Sequence, residues 1–355
     1  MNKNRNANIE LLRIICMLMI MTEHCLAWCG ALYEQSGVSY YFYWWLEALC
    51  VPAVNVFVLI SGFFLVESDF KAENLLRTLG TVWSYSFICS WLCARMSGQS
   101  LNTGTVLQML LPIATKKYWF VNAYLAMYLL FPFLNRLIRA LNRRQFEYLL
   151  LVLLLIMVVR PTLLPAKWAQ DPTNGLSVFF FITLYFMAAW LRLYFRPKPK
   201  TASFSYLLWI GVSIGLVFSK WLLLRGGFPE DTAGRFYSYC SVPVVLQACA
   251  LFLGALYGRK IPERVNSLIK TLARTSFAAY IIHYALTTVL WRVIFPVDRY
   301  VSHPTTGVPA IIIAVLLTYL ICYGIESLRM RLLRGISVER HYRGWIEKWN
   351  HLLQG

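Results

Sequence analysis

Charged side chains are scarce in this sequence. They make up 14% of its 355 residues, against roughly 25% in an average soluble domain. Acidic groups are scarcer still, with 16 Asp and Glu beside 34 Lys and Arg. A chain this poor in polar coat excludes the soluble enzyme classes. No stretch between the apolar runs is long enough for a separate soluble domain, and no internal repeat is present. No small-residue cleavage site follows the first apolar run, and Glu10, Arg13 and Glu23 interrupt it. It is therefore expected to be an uncleaved first span rather than a signal peptide. The nine cysteines lack metal-ligand spacing: Cys25/Cys29 and Cys89/Cys93 are i, i+4 pairs within apolar spans. There they act as small hydrophobes, so neither a disulfide framework nor a metal site is expected. The net charge of +18 is spread in short basic runs between apolar segments, with no basic patch among exposed aromatics. That distribution excludes nucleic acid as a partner and points to anionic membrane lipid.

Hydrophobic residues make up 59% of the chain and aromatics 16%, and the mean hydropathy is +0.55. Windows of about 20 mostly apolar residues can cross a bilayer as helices. Ten occur, at 9–30, 44–66, 75–95, 118–135, 146–165, 176–195, 204–224, 239–257, 274–296 and 307–328. The expected fold is thus all-α, a polytopic membrane bundle of about ten helices forming a single domain over 1–355. The segment 101–115 is too short, and too polar at its start, to span and is expected to lie along the interface or dip into it. Alternate connections hold 24 and 10 of the Lys and Arg residues. The richer set includes 136–144, 192–200, 259–270 and the tail 329–348, with Lys3, Arg5 and Arg13; the poorer includes 160–171 and 225–235. The positive-inside rule then places both termini in the cytoplasm of a multi-pass inner-membrane protein.

Ionisable and polar residues inside such spans are costly and mark function or pairing. Arg13 and His24 are eleven residues apart, which on a helix is about 20° past three full turns and about 16 Å of rise. Both leave one face of the first span, Arg13 near its cytoplasmic end and His24 deeper. Arg13 could snorkel to headgroups and His24 could bond a neighbouring helix; together on one face they read as the wall of a polar cavity. The second span carries Asn55 and Ser61-Gly62, where Gly62 permits close helix approach. The fourth opens on Lys116, Lys117, Tyr118, Trp119 and Phe120, followed by Asn122 and Tyr124. Its aromatics suit an interface belt, whereas Asn122 lies deep enough to need a partner. In the ninth, Tyr280 and His283 share a face at i, i+3.

These residues carry a resemblance. The R-x10-H spacing of Arg13 and His24 resembles the first-span signature of the integral membrane acyltransferase family, acyltransferase type 3. VNVFVLISGFFLV resembles that family's second span ending in SGF, KKYWFVNAYLAMYLLFPFLN its WF…YLL…P segment, and SFAAYIIHYAL its S…Y-x-x-H segment. The four occur in order over nearly the whole chain. One departure is the stretch FKAENLLRTLGTVWSYS, where Lys71 and Arg77 stand but the family's proline does not. Some members add a hydrolase-like soluble domain after the last span; here any such partner is expected to be a separate polypeptide.

The resemblance implies an O-acyltransferase, usually an O-acetyltransferase, that moves an acyl group from cytoplasmic acyl-CoA (acetyl-CoA) to a sugar hydroxyl. The acceptor it implies is a surface polysaccharide or lipid-linked glycan, alongside possible polysaccharide biosynthesis proteins as partners. Arg13 could hold the donor's phosphates or polarise its thioester carbonyl. His24, with an unperturbed imidazole pKa of about 6.5, would act as general base or as acyl carrier. Arg77, Ser61, Trp119, Asn122, Tyr124, Tyr280 and His283 are candidates for shaping the cavity or binding substrate or cofactor. Glu23 adjoins His24 in sequence but diverges from it by about 100° on a helix, so it is expected to pair elsewhere. The alternative class is a glycan exporter or small-molecule transporter, for which a polar core within ten helices would also serve.

Overall fold

The computed structural model describes residues 6–96, 102–115, 117–164, 175–333 and 343–354. Lys3, Arg5, Lys116, the end of the fifth expected span, most of the 160–171 connection and part of the 329–348 tail lie outside these. The described residues form helices and turns and contain no strand.

The first helix, α1 (Ala7–Trp28), is the axis of the bundle. Its N-terminus is fixed by two asparagines. The Asn6 side chain accepts from the Asn8 backbone N–H, and the Asn8 amide donates to the Ala255 and Arg259 carbonyls at 3.0 and 3.1 Å. Cys16, Met17, Met21, Cys25 and Leu26 are all fully buried, which explains why no narrow apolar stripe is visible in its sequence.

Around it stand α2 (Gly37–Cys50), α3 (Ala53–Leu65), α12 (Val242–Leu256), α13 (Glu263–Ala273), α14 (Ser276–Val289) and α15 (Pro304–Leu332), all in contact with α1. Pro52 separates α2 from α3; it lacks an N–H and interrupts the ladder there. The outer elements are α4 (Ala72–Met96), α5 (Thr103–Leu110), α6 (Trp119–Ala140), α7 (Arg143–Leu154), α8 (Arg160–Leu163), α9 (Val178–Leu193), α10 (Thr201–Arg225) and α11 (Glu230–Ala233). The C-terminal α16 (Arg343–Gln354) rests on the start of α4, where Asn350 Oδ1 accepts from the Ala72 backbone N–H at 2.8 Å. One π turn joins α7 to α8 and another follows α14.

Buried amides connect helices whose apolar faces give no direction. Asn135 of α6 donates to the Leu65 carbonyl of α3 at 2.9 Å and accepts from Tyr185 of α9 at 2.6 Å. Gln247 of α12 donates to Ala48 O of α2 and to Ser213 Oγ of α10, at 2.9 and 2.6 Å. Gly62 brings α3 against α9: a Cβ there would stand 2.8 Å from the Ala188 Cβ and 3.2 Å from the Tyr185 Cα.

Each of the ten apolar windows holds a helix. Six are long and apolar enough to cross a membrane: Gly37–Leu65, Trp119–Ala140, Arg143–Leu163, Thr201–Arg225, Arg235–Leu256 and Pro304–Leu332. The other four differ for visible reasons. α1 carries Glu10, Arg13, Glu23 and His24, and α4 carries Glu73, Arg77 and Arg95. α9 has 16 residues, and α14 has 14 before its π turn. On α10, Leu207, Ile214, Phe218 and Leu222 are all more than half exposed. A helix apolar all round yet bare of protein is solvated by lipid. The chain is a membrane protein. The 101–115 segment forms the eight-residue α5, held along α4 by Ser86 Oγ and Trp83 Nε1, which donate to the Gln108 and Leu110 carbonyls.

Candidate functional site

Arg13, Ile20, His24 and Trp28 succeed one another along one face of α1, as the 100° step requires. Two of them line a cavity of about 380 Å³ that Arg13 shares with Ile20, Ser61, Tyr124, Arg274 and Tyr280. Arg13 is partly exposed to it and pairs with Glu10 Oε1 at 3.2 Å. Trp28 lines a second cavity of about 320 Å³ with Glu34, Trp291, Arg292 and Asp298. His24 lies one turn past Ile20 and one turn short of Trp28, between the stretches of α1 that line the two cavities.

At this level α14 meets α1. His24 Nδ1 is 2.8 Å from His283 Nε2, and the rings lie 13° from parallel with centroids 5.0 Å apart. The far nitrogen of His283, Nδ1, is 3.1 Å from the Ala279 carbonyl. A carbonyl oxygen only accepts, so His283 Nδ1 carries the hydrogen. In the neutral pair, His283 Nε2 then holds a lone pair and can only accept. His24 Nδ1 must be the donor across the 2.8 Å bond, which leaves His24 Nε2 as the basic atom. One backbone carbonyl thus fixes the tautomer of a histidine on another helix.

The remaining expected residues fall into three groups. Ser61, Tyr124 and Tyr280 line the Arg13 cavity; Ser61 Oγ also donates to the Phe57 carbonyl at 2.9 Å, and Tyr280 touches the rings of Phe120 and His283. Trp119 and Asn122 belong to the neighbouring packing layer. Trp119 stacks on Tyr239 with centroids 5.7 Å apart, and both polar atoms of Asn122 are buried without a hydrogen-bond partner. Arg77 stands apart, on a third cavity that it shares with Arg274 and Arg329. Glu23 is buried on another face of α1 and interacts with Glu47 of α2 rather than with His24.

Sequence reasoning missed Arg274, which lies between α13 and α14. It also placed Tyr280 and His283 together without detecting the bond to α1, because a contact across 259 positions leaves no periodic trace. No group of three or more His, Cys, Asp or Glu able to hold a metal occurs among the described residues.

Residues 6–326 match the family model of the acyltransferase 3 family, described as an acyltransferase domain. The match spans most of the chain, which therefore belongs to this family of membrane acyltransferases. Neither the curated proteins nor the solved structures contain a match.

Proposed function

We propose that the chain is a membrane O-acyltransferase that moves an acyl group, acetyl in the simplest case, from acyl-CoA to a hydroxyl of a surface polysaccharide or lipid-linked glycan. The observation that carries this reading is the tautomer-fixed His24–His283 pair, on the stretch of α1 between the residues that line two cavities, one at the Arg13 end and one at the Trp28 end. The basic runs support a cytoplasmic Arg13 end and cytoplasmic termini, and the reading takes the chain to cross the inner membrane ten times. The donor then enters the Arg13 cavity and the acceptor the Trp28 cavity.

His24 Nε2 takes the proton of the acceptor hydroxyl as its oxygen bonds to the acyl carbon. The acyl carbon–sulfur bond breaks, and the same proton passes from His24 to the departing thiolate, so the reaction closes without an outside base. While His24 is protonated, its Nδ1–H bond to His283 becomes charge-assisted and stronger. Arg13, at the donor end, is suited to the donor's negative charge or to the thioester carbonyl.

Cells lacking the protein and complemented with His24→Gln test this, by mass analysis of the surface glycan. Ester groups should be absent while the glycan reaches the surface in normal amount. Loss of the glycan itself from the surface would instead support transport. Cysteine labelling from outside should reach substitutions in 226–234 and not those in 137–143; the reverse would overturn the orientation.

A further inference from the structure

Two cavities at the Arg13 end of the bundle meet at one residue. Arg274 lines both the cavity that holds Arg13 and Tyr280 and a neighbouring one of about 640 Å³. The second is walled by Arg77 of α4, by Arg274, and by Arg329 and Arg331 in the last turn of α15, with no acidic residue in its lining among the described residues. Thr271 and Ser327 add hydroxyls, and Tyr323 adds a hydroxyl and a ring. Arg329 is held in place by Glu326, whose two oxygens accept from its Nε and Nη2 at 2.7 Å each. Tyr85 in turn donates to Glu326 at 2.6 Å. Cations at a helix C-terminus or on a cytoplasmic rim need no special explanation. Those effects do not bring arginines from three places in the chain around one hollow, nor set one of them on the border with the cavity that holds Arg13 and Tyr280.

We propose that this arginine-walled cavity binds phosphate esters, specifically those of the nucleotide end of the acyl donor. Arg274 marks the passage through which the slim neutral arm of the donor continues past Tyr280. The inference rests on the acyltransferase reading for its ligand. It leaves Arg13, on the neighbouring cavity, for the thioester end. The same phosphate chemistry is offered by an anionic lipid headgroup, and the experiment separates the two sources.

The full-length protein in lipid nanodiscs, with and without Arg331→Gln, would be titrated calorimetrically with adenosine 3′,5′-bisphosphate. It would also be assayed with acetyl-CoA and with S-acetylpantetheine, which lacks the nucleotide. Arg331 is exposed and lines only the arginine-walled cavity, so the variant should insert normally. The expected result is bisphosphate affinity weakened about tenfold or more, as for loss of charge-assisted bonds. The KM for acetyl-CoA should rise in parallel, while kcat and the kinetics with S-acetylpantetheine stay unchanged. Unchanged bisphosphate affinity, or KM rising equally for both donors, would overturn the proposal. So would a variant whose only change is its response to the phosphatidylglycerol content of the nanodisc, which would make the cavity a lipid site. Should the wild-type protein use neither donor, the acyltransferase reading fails by itself. The calorimetry still decides the cavity: bisphosphate binding lost in the variant supports the site, and none in the wild type refutes it.

Discussion

α1 and α10 are both long apolar helices, and each carries an ionisable side chain away from water, but they treat it in opposite ways. On α10, Lys220 is fully buried and is matched by a carboxylate: Glu230 Oε1 lies 2.5 Å from its ammonium. The Trp44 ring sits 3.7 Å from the same nitrogen, and Tyr40 donates to Glu230. On α1, His24 is matched by a second imidazole, which supplies a lone pair but no charge. A buried cation retained for packing needs an opposite charge or full hydrogen bonding, and Lys220 has that. His24 has a partner that orients its ring and leaves one nitrogen basic. On the proposed reading, complete neutralisation goes with a structural role for Lys220, and the withheld counter-charge with a chemical role for His24.

The largest effect that tests this contrast is His24→Gln. An amide can keep a hydrogen bond to His283 but cannot take a proton near neutral pH, so acyl transfer should fall by about 10²- to 10⁴-fold. Membrane abundance should match the wild type on quantitative immunoblots. Full activity in that variant would reduce His24 to a packing residue.

Next is His283→Leu, which removes the acceptor that sets the His24 tautomer. A drop in kcat of about 100-fold with little change in KM is expected. His283→Gln, whose amide oxygen can accept from His24 Nδ1, should recover part of it. A merely space-filling role for His283 would give the reverse order, with Leu the better tolerated.

Lys220→Met should act on stability instead. It strands Glu230 beside Tyr40, and because Glu230 is half exposed the cost should be about 1–2 kcal/mol rather than that of a fully buried broken pair. Thermal unfolding in detergent would register this as a lower midpoint, with kcat retained. A selective loss of kcat would erase the distinction between the two sites.

The smallest effect is a pH dependence. Partial burial raises the Glu230 carboxyl, but the hydrogen bonds from Lys220 and Tyr40 outweigh it and hold the group below its ordinary value of 4.5. A carboxyl depressed in the folded state stabilises fully above its unfolded value and loses that contribution as pH falls through the folded one. The unfolding midpoint of the wild type should therefore decline below about pH 4.5 more steeply than that of Glu230→Gln. Equal slopes would remove the pair from the stability of α10.

Much of this was legible beforehand because it depends on local periodicity. The 100° step placed Arg13 and His24 on one face, and i, i+3 spacing joined Tyr280 to His283. The apolar windows located the helices because backbone polar groups in lipid must be satisfied within the segment. What escaped the sequence was relation between segments. Nothing in the spacing shows that His283 reaches His24, or that Arg274, Arg329 and Arg331 surround one hollow with Arg77. Asn122, expected to need a partner, has none among the described residues. The number of crossings is also less evident than the windows imply, since α1 and α4 carry the very charges that give them interest.

The close approach at Gly62 has a consequence for the site. Because α9 fills the space where a side chain would stand, position 62 works as a gauge of the gap between two helices. Ser61 and Phe57, on the same helix, are part of the wall of the Arg13 cavity. One added methyl at 62 would tilt that wall without altering any group that meets a substrate. The glycine after Ser61 is then a dimension of the chamber rather than one of its reagents.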